Sequence, residues 1–417
     1  MAGEVGAGVL SWLAAATSAQ RRSLLAAGLG WMLDAFDVML YAMVLAHLMR
    51  ELPMSAASAG LLGSLTLAAS AVGGVVFGVL ADRVGRTRAL MASILVYSVF
   101  TAACGVAQNV AQLAVFRVFL GLGMGGEWAT GAALVAETWP AAHRGKALGL
   151  MQSAWAVGYA LAAAVTALVL PRFGWRAVFL VGVAPALVTL WIRRRVEEPA
   201  VWTASSSSGA VPRGSLRELA APPLRRHVLV ATAVSAATMF GWWGLFTWIP
   251  SYLGLPPEQG GAGLDVVRTS TWVALMQVGM WLGYVTFGAV ADRLGRKPAY
   301  VSYLAVAACL VPIYGSVRDP GALLLLGPAV AFFGTGYFVG FGVITAELFP
   351  TRLRATAQGL TYNAGRGVSA IAPYVVGSLA DSHGLGAAFR VVAAAFAIAA
   401  VLGLLLPETR NTRIVAD

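Results

Sequence analysis

The stretch Gly78-Val79-Leu80-Ala81-Asp82-Arg83-Val84-Gly85-Arg86 returns as Gly288-Ala289-Val290-Ala291-Asp292-Arg293-Leu294-Gly295-Arg296, 210 positions further on. Gly73 and Gly283 precede the two copies at the same offset. The register continues without a gap from Glu137, Pro140, Arg144 and Gly149 to Glu347, Pro350, Arg354 and Gly359. Eleven identities in one register, spread over two loops, mark an internal duplication of the chain.

What lies between the repeated loops is apolar. Of 417 residues, 59% are hydrophobic and 11% charged, and the mean hydropathy is +0.76. That leaves too little charge to cover a water-soluble body, so the bilayer is the expected solvent. Runs long enough to cross lipid, about 20 residues each, are read at Ser23–His47, Ala57–Ala81, Ala89–Ala107, Ala111–Glu137, Ala147–Leu170 and Trp175–Ile192. A second six follow at His227–Tyr252, Thr269–Val290, Ala299–Ser316, Leu323–Glu347, Thr356–Ala380 and Ala387–Leu406. The expected organisation is a cytosolic segment (1–22), a six-helix half (23–192), a polar linker (193–226), a second six-helix half (227–406) and a cytosolic tail (407–417). The lead-in has an apolar run but no Lys or Arg before it, unlike a signal peptide. Within the linker, Val211-Pro212-Arg213-Gly214-Ser215 reads as a thrombin recognition sequence and carries no functional weight.

The formal charge of +11 is a matter of topology rather than of nucleic-acid binding. Arg21, Arg22, Arg83, Arg86, Arg88, Arg144, Lys146, the Arg193–Arg195 run, Arg225, Arg226, Arg293, Arg296, Lys297, Arg352 and Arg354 all fall in loops of one side. By the positive-inside bias that side is cytoplasmic, and both termini share it. The expected location is the bacterial inner (plasma) membrane, multi-pass. Cys104 and Cys309 sit in apolar runs with no metal-ligand spacing, and no cofactor or metal is expected.

Gly78-x-x-x-Asp82-Arg83-x-Gly85-Arg86-x-Arg88 closely resembles the signature between helices 2 and 3 of the major facilitator superfamily. Glu137…Arg144 and Glu347…Arg352-x-Arg354 resemble its second conserved loop pair, and the likeness covers essentially the whole chain. It implies an all-α membrane fold of twelve helices in two halves, transporting by alternating access. Charge-paired latches would form at the cytoplasmic surface, with Gly78, Asp82, Arg83, Arg86, Glu137, Arg144, Asp292, Arg293, Arg296, Glu347 and Arg354 as the gating set. Glycines in the set would let helices approach closely.

Ionisable residues inside spans are costly and mark function. Asp34 and Asp37 in span 1, Arg117 and Glu127 in span 4, and Arg366 in span 11 stand out. At ~1.5 Å per residue, Asp37 and Arg117 fall at similar depths, so an Asp37–Arg117 pair is expected. The run Arg117-x-x-x-Gly121-x-Gly123-x-Gly125-Gly126-Glu127 looks like the span 4 motif of proton-coupled porters of that superfamily. Asp34-Ala35-Phe36-Asp37 is similar to the span 1 element of aromatic acid:proton symporters, with Ala35 in place of glycine. Sialate- and lactate-type carboxylate porters also carry span 1 acids. Burial disfavours a carboxylate's charge and a nearby arginine restores it, which makes a proton switch. Asp34, Asp37, Arg117 and Glu127 are therefore the expected proton-coupling residues, and the same residues also fit a static pair between spans 1 and 4.

Arg366 lies at ~15 Å from the basic side with no acid at its depth in its own half, and a guanidinium can grip a carboxylate bidentately. It either holds a guest anion or pairs across the cavity with Asp34 or Glu127. Asn363, Tyr362, Gln152, Trp155, Tyr159, Trp243, Gln277 and Tyr337 complete the expected substrate site, with Trp242, Phe246 and Trp281 nearby. Aromatic lining suits a small carboxylate with an apolar body, although aromatics also serve ordinary packing. The leading expectation is proton-coupled symport of a small organic anion by one chain acting alone, with protons and the lipid bilayer as its other partners. A drug or cation exporter using Asp34 and Asp37, or a non-transporting sensor, are the alternatives. An enzyme is not expected: the four histidines are scattered, with no nucleophile–base spacing.

Overall fold

Inside lipid every backbone N–H and C=O must be satisfied by the chain itself, and a helix does so locally. The computed structural model describes residues 11–198 and 216–410 and, among them, contains helices and no strand. The first half comprises α1 (Ser18–Glu51), α2 (Ala56–Val84), α3 (Arg86–Cys104), α4 (Val110–Thr138), α5 (Ala141–Val181) and α6 (Ala186–Arg195). The second comprises α7 (Pro222–Phe246), α8 (Ile249–Gly254), α9 (Val266–Leu294), α10 (Arg296–Ser316), α11 (Pro320–Leu348), α12 (Thr351–Ser369), α13 (Ala372–His383) and α14 (Leu385–Gly403). Ten stretches are each long and apolar enough to span. One of them, His143–Ile192, is broken at Gly174 (φ 74°) and has length for two passes. The α12–α13 pair, parted at Ala370 and Ile371, forms one more. This arrangement is compatible with the twelve passes that the sequence implies.

The Arg193–Arg195 run assigned to the linker is the end of α6, and α7 already begins at Pro222. The Val211–Ser215 run lies outside the described residues. Side-chain caps set several ends: Thr17 and Gln20 form a reciprocal capping box on α1, and Ser55, Asn109, Asp265 and Asp319 start α2, α4, α9 and α11.

The duplicated loops are tight reversals. Gly85 and Gly295 adopt φ of 110° and 106°, which a side chain would strain, and each sits against a carboxylate. Glu198 accepts the N–H groups of Thr87 and Arg88 at 3.1 and 3.3 Å. Glu408 accepts those of Arg296, Lys297 and Arg410 at 3.0, 3.2 and 2.8 Å. Glu198 and Glu408 keep the 210-residue register, yet the sequence reading above stops short of them. They are the caps that Gly85 and Gly295 cannot supply for α3 and α10.

The basic loops brace each half internally. Arg86 Nη2 lies 2.9 Å from Glu137, tying α3 to α4. Its counterpart Arg296 contacts Asp292 and lies 3.5 Å from Glu347, tying α10 to α11. These pairs each join two helices of one half, as braces do. Arg83, Arg144 and Arg293 are exposed, and the side chains of Asp82, Arg352 and Arg354 lie outside those described. The glycine expectation also shifts: a Cβ at Gly78 or Gly288 would meet open space, whereas Gly73 abuts the Leu122 backbone and Gly283 that of Phe332. Close helix contact falls farther from the basic face, at Gly73 and Gly125 where α2 meets α4 and at Gly279 and Gly283 where α9 meets α11.

At the opposite face the halves are sealed against each other. The Asp381 carboxylate accepts the N–H groups of Ala56 and Ala57 at 2.8 and 2.9 Å, a favourable charge at the N-terminus of α2. Gly60 and Gly63 admit Pro373 of α13, Ser64 accepts the Tyr374 N–H at 3.2 Å, and the Tyr159 hydroxyl donates to the Phe246 carbonyl at 2.9 Å.

Partial burial opposes the charge on Glu408, but the backbone N–H groups of Arg410, Arg296 and Lys297 outweigh it and hold this carboxyl below the ordinary range. Its cap is therefore fully present above the ordinary carboxylate range and is lost as pH falls through the lowered value. Glu408→Ala is expected to destabilise the detergent-purified protein by about 1 kcal/mol at neutral pH, read as a lower melting midpoint, with the difference from the parent shrinking in acid.

Candidate functional site

A layer of buried charge lies between the halves. Asp34, Glu127 and Arg366 are 1%, 0% and 2% exposed. Arg366 is close enough to Asp34 and to Glu127 to act on both charges, and the two acids act on each other. Asp34 Oδ2, both Glu127 oxygens and Arg366 Nε have no hydrogen-bond partner. Local structure explains the placement. Glu127 extends over Gly30, where a larger residue would collide with its carboxylate, and Gly30 lies one turn from Asp34 on α1. Arg366 occupies the last turn of α12, whose free carbonyl end favours a cation. Its guanidinium lies 5.4 Å from the ring centroid of Tyr362. Asp34, Glu127 and Arg366, expected in spans 1, 4 and 11, thus lie within electrostatic range of one another, with no ion pair joining Arg366 to either acid among the described residues.

The expected Asp37–Arg117 pair does not form. Arg117 instead lies over the Tyr41 ring, 3.7 Å from its centroid, with Nε and Nη1 unpartnered. It lines a small cavity with Gly63, Thr66, Trp243, Thr247 and Pro373 that has room for about one water molecule. Asp37 turns toward Thr101 of α3, whose hydroxyl is already donated to the Tyr97 carbonyl, and both Asp37 oxygens lack a donor. Similar depth did not bring the two side chains together, because they leave their helices in different directions.

Beside the charged layer stands an aromatic cluster shared by both halves. Trp31 and Trp155 have ring centroids 4.6 Å apart. Trp155 meets Trp242 at 5.5 Å and Trp243 at 6.1 Å, both edge-on. Trp242 in turn meets Phe246 at 5.1 Å and Phe338 at 6.3 Å. Toward the basic face, Trp128 of α4 stacks on Tyr362 of α12 at 4.2 Å and 9°. This stack crosses between the halves one residue from Glu127 and one turn from Arg366.

The remaining expected residues divide. Asn363 packs on Gly74 of α2 and donates to the Gly359 carbonyl at 3.0 Å. Gln152 is within hydrogen-bonding reach of Tyr284 across the halves. Gln277 is buried, donates to the Val273 carbonyl at 3.1 Å and leaves its own carbonyl unpartnered. Tyr159 spends its hydroxyl on the seal at the opposite face. Tyr337 packs on Tyr300 and Phe396 and donates to the Thr238 carbonyl at 3.2 Å. It is a packing residue of the second half, away from the charged layer. Trp281 is 41% exposed on the outside of α9. Trp31, Trp128 and Phe338 join these aromatic contacts and were not among the expected residues. Trp31 had a signal, standing at i−3 from Asp34 on one helix face; Trp128, though next to Glu127, points to the other half, and nothing in a single helix announces that.

The family model of the Major Facilitator Superfamily matches residues 27–266 and 256–416. A protein of Cupriavidus pinatubonensis named "Probable 4-methylmuconolactone transporter" is 35% identical over 415 residues, covering 97% of this chain and 95% of that one. The cis,cis-muconate transport protein of Acinetobacter baylyi is 33% identical over 398 residues, covering 93% and 94%. Among solved structures, that of a D-xylose-proton symporter superposes with a TM-score of 0.76 at 19% identity, covering 95% of this chain and 99% of that one, a likeness of fold. The chain is a multi-pass membrane transporter, not an enzyme, and it belongs to the Major Facilitator Superfamily.

Proposed function

We propose that this transporter carries a small, planar organic carboxylate together with a proton, through a site in which Arg366 holds the substrate carboxylate. The observation that carries this reading is a buried guanidinium whose Nε has no partner, near two buried acids whose own oxygens lack hydrogen-bond donors. An incoming carboxylate competes with Asp34 and Glu127 for it. A proton on either acid withdraws that competitor, so proton and anion bind best together. Their joint passage also cancels the charge that an interior-negative potential would oppose, at about 2.3 kcal/mol per charge per 100 mV. Substrate and proton release then reset the pair. The two relatives named for muconate and a muconolactone support the substrate class, since both solutes are unsaturated carboxylates with planar conjugated portions.

In this reading the basic face is cytoplasmic, the membrane is the bacterial inner membrane, and a single chain provides the whole path. The sealed opposite face is the outside, and the Trp128–Tyr362 stack is the thin barrier between the bound substrate and the cytoplasm. Asp37 and Arg117 lie outward of the charged layer and serve proton entry.

Uptake in proteoliposomes under an inward proton gradient tests this reading, with 4-hydroxybenzoate and cis,cis-muconate as solutes. Arg366→Gln is expected to cut uptake of both by roughly 30-fold or more, the cost of a charge-assisted pair worth about 2–3 kcal/mol. Asp34→Asn and Glu127→Gln are expected to lose gradient-driven accumulation while retaining counterflow exchange of preloaded solute. Full uptake by Arg366→Gln would sink the carboxylate site, and accumulation by both acid variants would sink the coupling. Separately, Trp128→Ala is expected to speed dissociation of bound acid by roughly 3- to 10-fold, the loss of one aromatic stack, measured by filter-binding chase; an unchanged off-rate would show that the stack is no barrier.

A further inference from the structure

Tryptophan carries an indole N–H that must find an acceptor when buried, or costs stability for no gain in packing over phenylalanine. Three other buried tryptophans obey this. Trp139 donates to the Gln20 carbonyl at 3.1 Å, Trp175 to the Glu51 carboxylate at 2.7 Å, and Trp248 to the Pro373 carbonyl at 3.0 Å. Trp31, Trp155 and Trp242 do not: they are 2%, 3% and 3% exposed, and the N–H of each is unpartnered. These three form the continuous cluster that joins the halves.

The cluster adjoins the charged layer. Trp31 stands one turn from Asp34 on α1. Gly158, one turn from Trp155 on α5, abuts Met32 and Ala35 of α1. On the other side Gly365, next to Arg366, abuts Ser235, two turns along α7 from Trp242 or ~10 Å.

We propose that the N–H groups of Trp31, Trp155 and Trp242 form a second polar subsite, which receives a hydrogen-bond acceptor at the end of the substrate remote from its carboxylate. The flat indole faces would hold the planar body between the two ends. This subsite makes the carrier selective for acids with an oxygen substituent opposite the carboxylate, and it rests on the reading that Arg366 binds that carboxylate.

Two acids of nearly equal shape separate donation from packing: 4-hydroxybenzoate, which offers an acceptor, and 4-methylbenzoate, which does not. Equilibrium binding of each to the purified full-length protein is measured for the parent and for Trp31→Phe, Trp155→Phe and Trp242→Phe, with melting midpoints to confirm folding. The parent is expected to bind 4-hydroxybenzoate about tenfold more tightly. At least one folded Phe variant is expected to bring that ratio to within about twofold of unity, while its affinity for 4-methylbenzoate changes by about twofold or less. A parent without preference, variants that weaken both acids equally, or variants that leave the ratio unchanged would each overturn the subsite. Arg366→Gln distinguishes the layers: if it weakens both acids, such a result removes the subsite alone, and if it binds both as the parent does, the carboxylate reading falls as well.

Discussion

Arg366 is a permanent cation in the interior of a protein whose solvent is lipid, and the rest of the site is arranged around that fact. Taking a charge out of water costs several kcal/mol even after relaxation, and here two acids, a tyrosine and a helix C-terminus each return part of it. None closes the guanidinium off. A fully satisfied ion pair would be a brace, as Arg86–Glu137 is; in the proposed function the incompletely satisfied Arg366 is a binding site whose affinity depends on the protonation of its neighbours. The same arrangement explains why the acids lie mainly in the first half and the arginine in the second. Their attraction crosses between the halves, so under the proposed alternating access whatever changes it would bias the conformational equilibrium.

Each half is braced within itself. Paired caps at Glu198 and Glu408 and paired braces at Arg86 and Arg296 fix the loops within each half. Contact between halves at the opposite face relies on backbone approach at Gly60 and Gly63 and on a carboxylate at a helix N-terminus. Toward the basic face it includes the Trp128–Tyr362 stack, the Asn363–Gly74 contact and the Gln152–Tyr284 approach. A single aromatic stack is worth about 0.5–1.5 kcal/mol, a scale that thermal motion and ligand binding can overcome.

Much of this was legible in the sequence. The 210-residue register fixes the two-fold plan because duplicated loops must make duplicated structure, and extending it to Glu198 and Glu408 would have found the caps as well. Buried charge is legible for a different reason: apolar spans make each Asp34, Glu127 or Arg366 conspicuous. What composition and depth could not give was direction around the helix axis. Asp37 and Arg117 share a depth yet face different neighbours, Tyr337 turns into its own half, and Trp128 turns away from it. A helix inside a bundle in lipid is apolar nearly all round, so no polar face records which side meets the cavity. Glycine was misread in the same way, since Gly73 and Gly78 look alike in sequence and only Gly73 meets a helix.

The number of protons taken up when the acid binds is the quantity on which the shared-arginine mechanism stands. Calorimetry of 4-hydroxybenzoate binding to the purified protein, repeated in buffers of different ionisation enthalpy at a pH where the free acid is ionised, measures it. Uptake of a proton approaching one per acid bound, abolished when both Asp34 and Glu127 are replaced by their amides, is the predicted result. Binding of undiminished affinity with no proton taken up at any pH would show that substrate and acids do not compete for Arg366, and would contradict the mechanism.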